Sequence, residues 1–384
     1  MSISPSDTVT TRRAPSSPAG EPRDGILRTV PIGSVQLETG GRLPAAELAF
    51  ETWGRLDPDG SNAVLVEHAL TGSSHVAQGH SAEEGWWDSL VGPGRTLDTD
   101  RYFVVSINML GGCYGSTGPA SPDPDGVPWG SRFPFVTIRD AVRAEAQVAD
   151  LLGIDRWHSV IGGSMGGARA LEWAVMFPER VARCAVVACT AASSAEQIAF
   201  AQAQLQAIRM DPNYSGGDYY GQELPSAGLG LARRIAHITY RSELELQSRF
   251  GRRAQGAELP FGSAVPAARG RYQVESYLDH QADKLVDRFD ANSYVVLTEA
   301  LMSHDVTRGR GSLRAALSAS TAEFFVAAVD TDRLYFPWQS DELARALPGD
   351  VPVHTISSAV GHDAFLTEIH QLNAQLRSAF YPEG

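Results

Sequence analysis

The chain has 384 residues, 43% hydrophobic and 20% charged, an ordinary globular composition and long enough to bury a large core without staples. Thirty-two basic against 45 acidic residues leave a formal net charge of −13, which supplies no basic footprint for a nucleic acid. Three cysteines (Cys113, Cys184, Cys189) without Cys-x-x-Cys or metal-ligand spacing exclude a disulfide scaffold and a zinc module, and no apolar run is long enough to span a membrane, so a reduced, cytoplasmic setting is expected.

In chain order, residues 1–25 combine Ser, Pro, Gly and charge without an apolar h-region. They read as a disordered tail and not as a secretory signal. Short apolar runs follow at 46–53, 63–68, 102–108, 157–162, 184–189, 323–329 and 351–356. Most are near-continuously apolar, which suits strands buried on both faces of a parallel sheet. Helical patterns lie at 137–152, 166–177 and 339–347, and a last one at 363–380. Strands alternating with helices predict an α/β fold with a mostly parallel, doubly wound sheet.

Residues 193–304 break the alternation. They read as successive helices at 195–210, 229–239, 241–250, 272–288 and 293–303, an all-helical lid inserted into a core made of 26–192 and 305–384. Tyr277, Leu278, Leu285 and Phe289 recur at helical spacing, and the segment is expected to form a dimer contact through such apolar faces.

The sharpest motif is Gly162-Gly163-Ser164-Met165-Gly166-Gly167, a G-x-S-x-G between a strand and a helix. That context defines a nucleophile elbow, with Ser164 exposed at a strained turn beside a helix N-terminus. No G-K-[ST] follows, so the turn is not a P-loop. An elbow serine needs an acid and then a histidine downstream, at strand ends. Asp332 and His362 sit there, after the 323–329 and 351–356 strands. Asp330 is the rival acid; Asp332 is preferred because it lies further out on its loop. His354 falls inside a strand and His370 inside a helix, and both are worse placed. The backbone N–H groups of Met165 and Leu70 are the expected oxyanion donors, Leu70 by its place after the 63–68 strand.

The segments HALTG, LGGCYGSTGPAS, WGSRFP, GGSMGGARALEWA, LARRIAHITYRS, SYLDHQADKLVDRFDANSY and GHDAFL closely resemble the homoserine O-acetyltransferase family of α/β-hydrolase-fold acyltransferases. The resemblance covers nearly everything but the tail. It implies acetyl transfer from acetyl-CoA to the hydroxyl of L-homoserine in methionine biosynthesis, without a metal or bound cofactor, by a homodimer paired through the helical lid. It also implies that Ser164 is the nucleophile, Asp332 the orienting acid and His362 the base. Arg233 matches the residue that holds the substrate carboxylate, and Asp363 the one that holds its ammonium. A guanidinium fork suits the first task. The readings left beside it are a succinyl donor or a serine acceptor on the same fold, an ordinary esterase, and a catalytically silent binding module.

Overall fold

The computed structural model describes residues 24–265 and 268–382. Eight strands form one sheet: β1 (Arg28–Gln36), β2 (Arg42–Trp53), β3 (Ala63–Glu67), β4 (Phe103–Ile107), β5 (Ser159–Gly163), β6 (Arg183–Val187), β7 (Glu323–Val329) and β8 (Val353–Ile356), in the order β1-β2-β4-β3-β5-β6-β7-β8. The pairs β1–β2 and β2–β4 are antiparallel and the other five are parallel. The sequences Ala-Val-Leu-Val-Glu of β3 and Ser-Val-Ile-Gly-Gly of β5 are buried throughout, because helices cover both faces of the sheet.

On one face lie α1 (Ile138–Leu152) and α2 (Met165–Met176). Thr137 caps α1 in a box with Asp140, and Gly153 ends it in the left-handed conformation at φ 76°. Between β6 and β7 the chain forms α3 (Ala195–Arg209), α4 (Ser226–Tyr240), α5 (Glu243–Arg249), α6 (Gln273–Val286), α7 (Ala291–Met302) and the short α8 (Leu313–Leu317). Its way out and way back are tied together: Ser193 N–H donates to His304 O at 2.9 Å and Val306 N–H to Ala191 O at 2.9 Å. After β7 come α9 (Pro337–Ala346), then β8, α10 (Ala364–Thr367) and α11 (Ile369–Phe380). Leu372, Leu376 and Phe380 of α11 bury the second face of the sheet with Trp53 and Trp87.

Four expectations need correction. The edge strand β1 is absent from the sequence reading; Pro31 and Gly33 interrupt its pattern, and its register shifts at both, which an edge strand tolerates. The tail predicted over 1–25 lies outside the described residues up to residue 23, but Asp24 and Gly25 already pair with β2, through Gly25 N–H to Thr52 O at 3.2 Å. The final helix is two helices. The Trp87 indole N–H donates to the Phe365 carbonyl oxygen at 3.2 Å, and the chain bends at Glu368 (φ −93°, ψ 42°). Lastly, of the four apolar residues named for a dimer face, Tyr277, Leu285 and Phe289 are at most 7% exposed within this single chain, Phe289 with its ring 5.8 Å from that of Tyr114 in the core, and only Leu278 stays partly exposed.

Candidate active site

Ser164 joins β5 to α2 with φ 56° and ψ −124°, a conformation that is strained for a residue with a Cβ. It is tolerated because the neighbourhood leaves no alternative path. A Cβ on Gly162 would sit 2.1 Å from the Gly166 carbonyl oxygen, and one on Gly166 would sit 2.1 Å from that of Glu67. Only glycines let the turn close this tightly over β3. Ser164 N–H is anchored on Val187 O at 3.0 Å.

His362 reaches the serine from the loop after β8, with its Nε2 2.9 Å from Ser164 Oγ. Its Nδ1 lies 2.6 Å from Asp332 Oδ2. The other Asp332 oxygen accepts Leu334 N–H at 2.8 Å and Tyr335 N–H at 2.9 Å, so the carboxylate cannot rotate away. This pattern makes Nδ1 the donor to Asp332 and leaves Nε2 to accept the serine proton. Burial pulls the His362 pKa down, but the Asp332 charge and hydrogen bond outweigh it, and with Asp363 they hold it above the usual 6.5. Tyr335 stacks on the ring at 5.1 Å. Asp330 is elsewhere, accepting from Ser357 Oγ at 2.7 Å and Ser358 N–H at 3.0 Å. His354 stacks on Phe325 at 4.5 Å, and His370 is exposed.

Leu70 and Ser164 line one cavity. Met165 N–H heads α2 and has no intrahelical acceptor, and among the described residues nothing accepts the Leu70 N–H. The Leu70 loop is held by His68. Its Nδ1 lies 2.8 Å from Ala69 O, and its Nε2 accepts Met109 N–H at 3.0 Å. Burial and then Arg169 lower the His68 pKa to about 3, so the ring is a neutral strut. Beneath it the fully buried Arg169 of α2 contacts Glu67 of β3 and Glu145 of α1, with Nε donating to Glu145 Oε1 at 2.9 Å. Burial pushes the Glu67 carboxyl well above its ordinary range, opposed by Arg169 and reinforced by Glu145. Three elements around the elbow are thus cross-linked by one guanidinium.

Arg233 on α4 is partly buried and makes no ion pair among the described residues. Its Nη1 touches Thr71 Oγ1 only at 3.4 Å, its Nε is buried without a partner, and its guanidinium carbon lies 5.7 Å from the Tyr240 ring centre. Its neighbours are spoken for: Arg234 pairs with Asp279 at 2.9 Å, and Arg241 with Asp363 at 3.1 Å and Glu245 at 3.1 Å. Asp363 follows His362 directly. Burial lifts its pKa above the usual carboxylate range, while Arg241, His362 and Arg233 pull it down. The Arg241–Asp363 pair escaped the sequence reading, as did Tyr335 and the Arg169 set. Nothing in linear spacing brings residues 67, 145 and 169 together. For Cys113, burial pushes the thiol up to about 11, so it is no thiolate near neutral pH. Among the described residues no cluster of metal-ligating side chains occurs, and no helix is long and apolar enough to cross a membrane.

A parallel-sheet core, an elbow serine at a strand end and a serine–histidine–carboxylate line define an α/β-hydrolase-fold protein, and the alpha/beta hydrolase fold family model matches residues 62–369. Among known proteins, homoserine O-acetyltransferase of Thermobifida fusca is 57% identical over 347 residues, covering 89% of this chain and 90% of its own. The crystal structure of homoserine O-acetyltransferase from Bacillus anthracis superposes with TM-score 0.86 at 28% identity, covering 93% of this chain and 98% of that one. An acetylester hydrolase from Corynebacterium glutamicum matches with TM-score 0.79 at 27% identity, covering 93% and 96%. The chain belongs to the homoserine O-acetyltransferase family.

Proposed function

We propose that the protein transfers an acetyl group from acetyl-CoA to the hydroxyl of L-homoserine, giving O-acetyl-L-homoserine and CoA, by a ping-pong route through acetyl-Ser164. The observation that supports it most is a partly buried Arg233 guanidinium with no carboxylate partner among the described residues, whose charge helps pull down the Asp363 pKa, together with a serine–histidine–aspartate line at 2.9 and 2.6 Å. An ordinary esterase has no use for an amino-acid clamp.

In this reading His362, oriented by Asp332, takes the Ser164 proton as Oγ attacks the thioester carbonyl. The Leu70 and Met165 N–H groups receive the oxyanion. The C–S bond breaks, and the thiolate leaves with the proton from His362. Homoserine then enters, its carboxylate on Arg233 and its ammonium on Asp363. Its hydroxyl loses a proton to His362 while attacking the acyl carbon, and Ser164 regains that proton as the product leaves. The chemistry runs on side chains and backbone, with acetyl-CoA as a co-substrate and no bound cofactor or metal. The lid must keep water from the acyl-enzyme, since hydrolysis competes with transfer.

The same proposal includes a cytoplasmic homodimer paired through the insertion. Of the apolar residues named from sequence only Leu278 is partly exposed, but Met210, Leu224, Leu231, Ile238 and Leu244 are exposed on the insertion. A monomeric mass in sedimentation would remove the dimer from the proposal. The reaction is tested by CoA release from acetyl-CoA or succinyl-CoA, each with homoserine or serine. Acetyl-CoA with homoserine should be fastest. Acetate without O-acetylhomoserine would make the protein an esterase.

A further inference from the structure

The turn that carries the Leu70 N–H is held from two sides. On the core side Ala69 O accepts Gly72 N–H at 2.9 Å and lies 2.8 Å from His68 Nδ1, which closes the chain over residues 69–72. The other side faces a broad, solvent-open mouth lined by Thr71, Gly72, Trp86, Tyr114, Arg233 and Arg288. Among the described residues one hydrogen bond reaches the Leu70 or Thr71 backbone there: Arg288 Nη1 donates to Thr71 O at 2.9 Å. The same nitrogen donates to the Tyr114 hydroxyl. Arg233 touches only the Thr71 side chain, at 3.4 Å.

Arg288 comes from the inserted helices and not from the core. It sits in the turn between α6 and α7, and that turn is firmly anchored. Phe289 beside it is buried, with its ring 5.8 Å from that of Tyr114. Asp290 accepts the Tyr219 hydroxyl at 2.5 Å, the Tyr220 hydroxyl at 3.0 Å and Ser293 N–H at 2.7 Å. Arg288 itself is exposed and makes no ion pair among the described residues. Its printed bonds all go to one loop carbonyl and one tyrosine, and they tie a fixed turn of the insertion to a core loop whose outer side has no other hold.

We propose that Arg288 is a positioning residue for the oxyanion hole: through Thr71 O it holds the Leu70 N–H in place beside Ser164, so that the hole is complete only with the insertion docked on the core. The inference rests on the acyl-transfer reading above and deepens it. Both half-reactions pass through a tetrahedral oxyanion in the same hole, so a brace on that hole acts on both. An acceptor clamp acts on the second half-reaction alone. A contact to CoA acts only when the donor is a CoA thioester.

The test is Arg288→Met with three rates: the CoA burst from acetyl-CoA, the p-nitrophenolate burst from p-nitrophenyl acetate, and the discharge of acetyl-Ser164 by homoserine. Loss of one oxyanion donor costs about 10²- to 10³-fold and a displaced donor keeps part of its effect, so all three should fall together by about 10- to 100-fold. KM for homoserine should stay within about threefold. Arg288→Lys keeps one donor for Thr71 O and should hold all three losses to about three- to tenfold. A fall confined to discharge makes Arg288 an acceptor clamp, a fall confined to acetyl-CoA makes it a CoA contact, and unchanged rates make the bond idle; each overturns the proposal. A rise in KM of about tenfold or more also overturns it, because a merely loosened insertion would displace Arg233 on α4 as well. If the Met variant does not fold, the Lys variant decides by the same three rates. A wild-type enzyme acetylated by p-nitrophenyl acetate but not by acetyl-CoA overturns transfer from CoA and leaves the role of Arg288 to be read on the ester.

Discussion

Arg233→Lys should separate the two half-reactions. Arg233 has no carboxylate partner among the described residues, its one side-chain hydrogen bond is long at 3.4 Å, and it leans on Tyr240. Its charge is therefore free for an incoming carboxylate. Lysine keeps the charge but offers a point donor in place of a fork. The substitution removes one of two charge-assisted hydrogen bonds, worth about 1.5–3 kcal/mol, so kcat/KM for homoserine should fall by about 10- to 150-fold. Acylation by acetyl-CoA involves no amino acid, so the burst of CoA without homoserine should keep its size and rate. Stopped-flow detection of that burst beside steady-state kinetics reads both halves. A slowed burst would refute the assignment, and so would unaltered use of homoserine. Arg234 and Arg241 are already paired with Asp279 and Asp363, so the acceptor clamp would then fall to Arg288 at the same mouth.

Other expected outcomes follow from the same geometry. Asp332→Asn should cost about 10⁴ in kcat, as in a comparable triad, whereas Asp330→Asn should leave catalysis nearly intact because Asp330 only ties down Ser357 and Ser358; the reverse ranking would move the acid to Asp330. The base form of His362 is the neutral one and its pKa is raised, so the acid limb of kcat/KM for acetyl-CoA should lie above pH 6.5, and a limb below that value would contradict the Asp332 influence. The sign for stability is opposite: protonated His362 contributes fully below its unfolded pKa, and the contribution is lost as pH rises through the folded one. Arg169→Met should destabilise the fold by about 3–5 kcal/mol in urea titration, because Glu145 loses its buried counter-charge and Glu67 loses its buried guanidinium contact; a change under about 1 kcal/mol would show that the two carboxyl groups are satisfied without it.

The positions of Ser164, Asp332 and His362 were legible because each has a local signature: glycines around a strand-to-helix turn, and polar residues directly after apolar strands. Asp332 and Asp330 share that signature. They are told apart by which one the Leu334 and Tyr335 amides cap, which is a matter of loop conformation. The buried strands were legible from continuous apolar runs, and β1 was not, because an edge strand can carry Pro31 and Gly33. The break at Glu368 depends on an indole donor 278 residues away in sequence from Phe365. The burial of Tyr277, Leu285 and Phe289 was misread because helical periodicity marks an apolar face without saying what covers it. The Arg169 set and the Arg241–Asp363 pair join distant elements and leave no mark in any one segment.

The central claim is that acetyl passes through Ser164. Mixing the enzyme with acetyl-CoA alone, quenching in acid and mapping peptides by mass spectrometry tests it directly. The account predicts one acetyl group on the peptide carrying Ser164, discharged by homoserine with O-acetylhomoserine formed in equal amount, and none on Ser164→Ala. Acetylation that persists in Ser164→Ala, or O-acetylhomoserine made by that variant at more than a few percent of the normal rate, would contradict it.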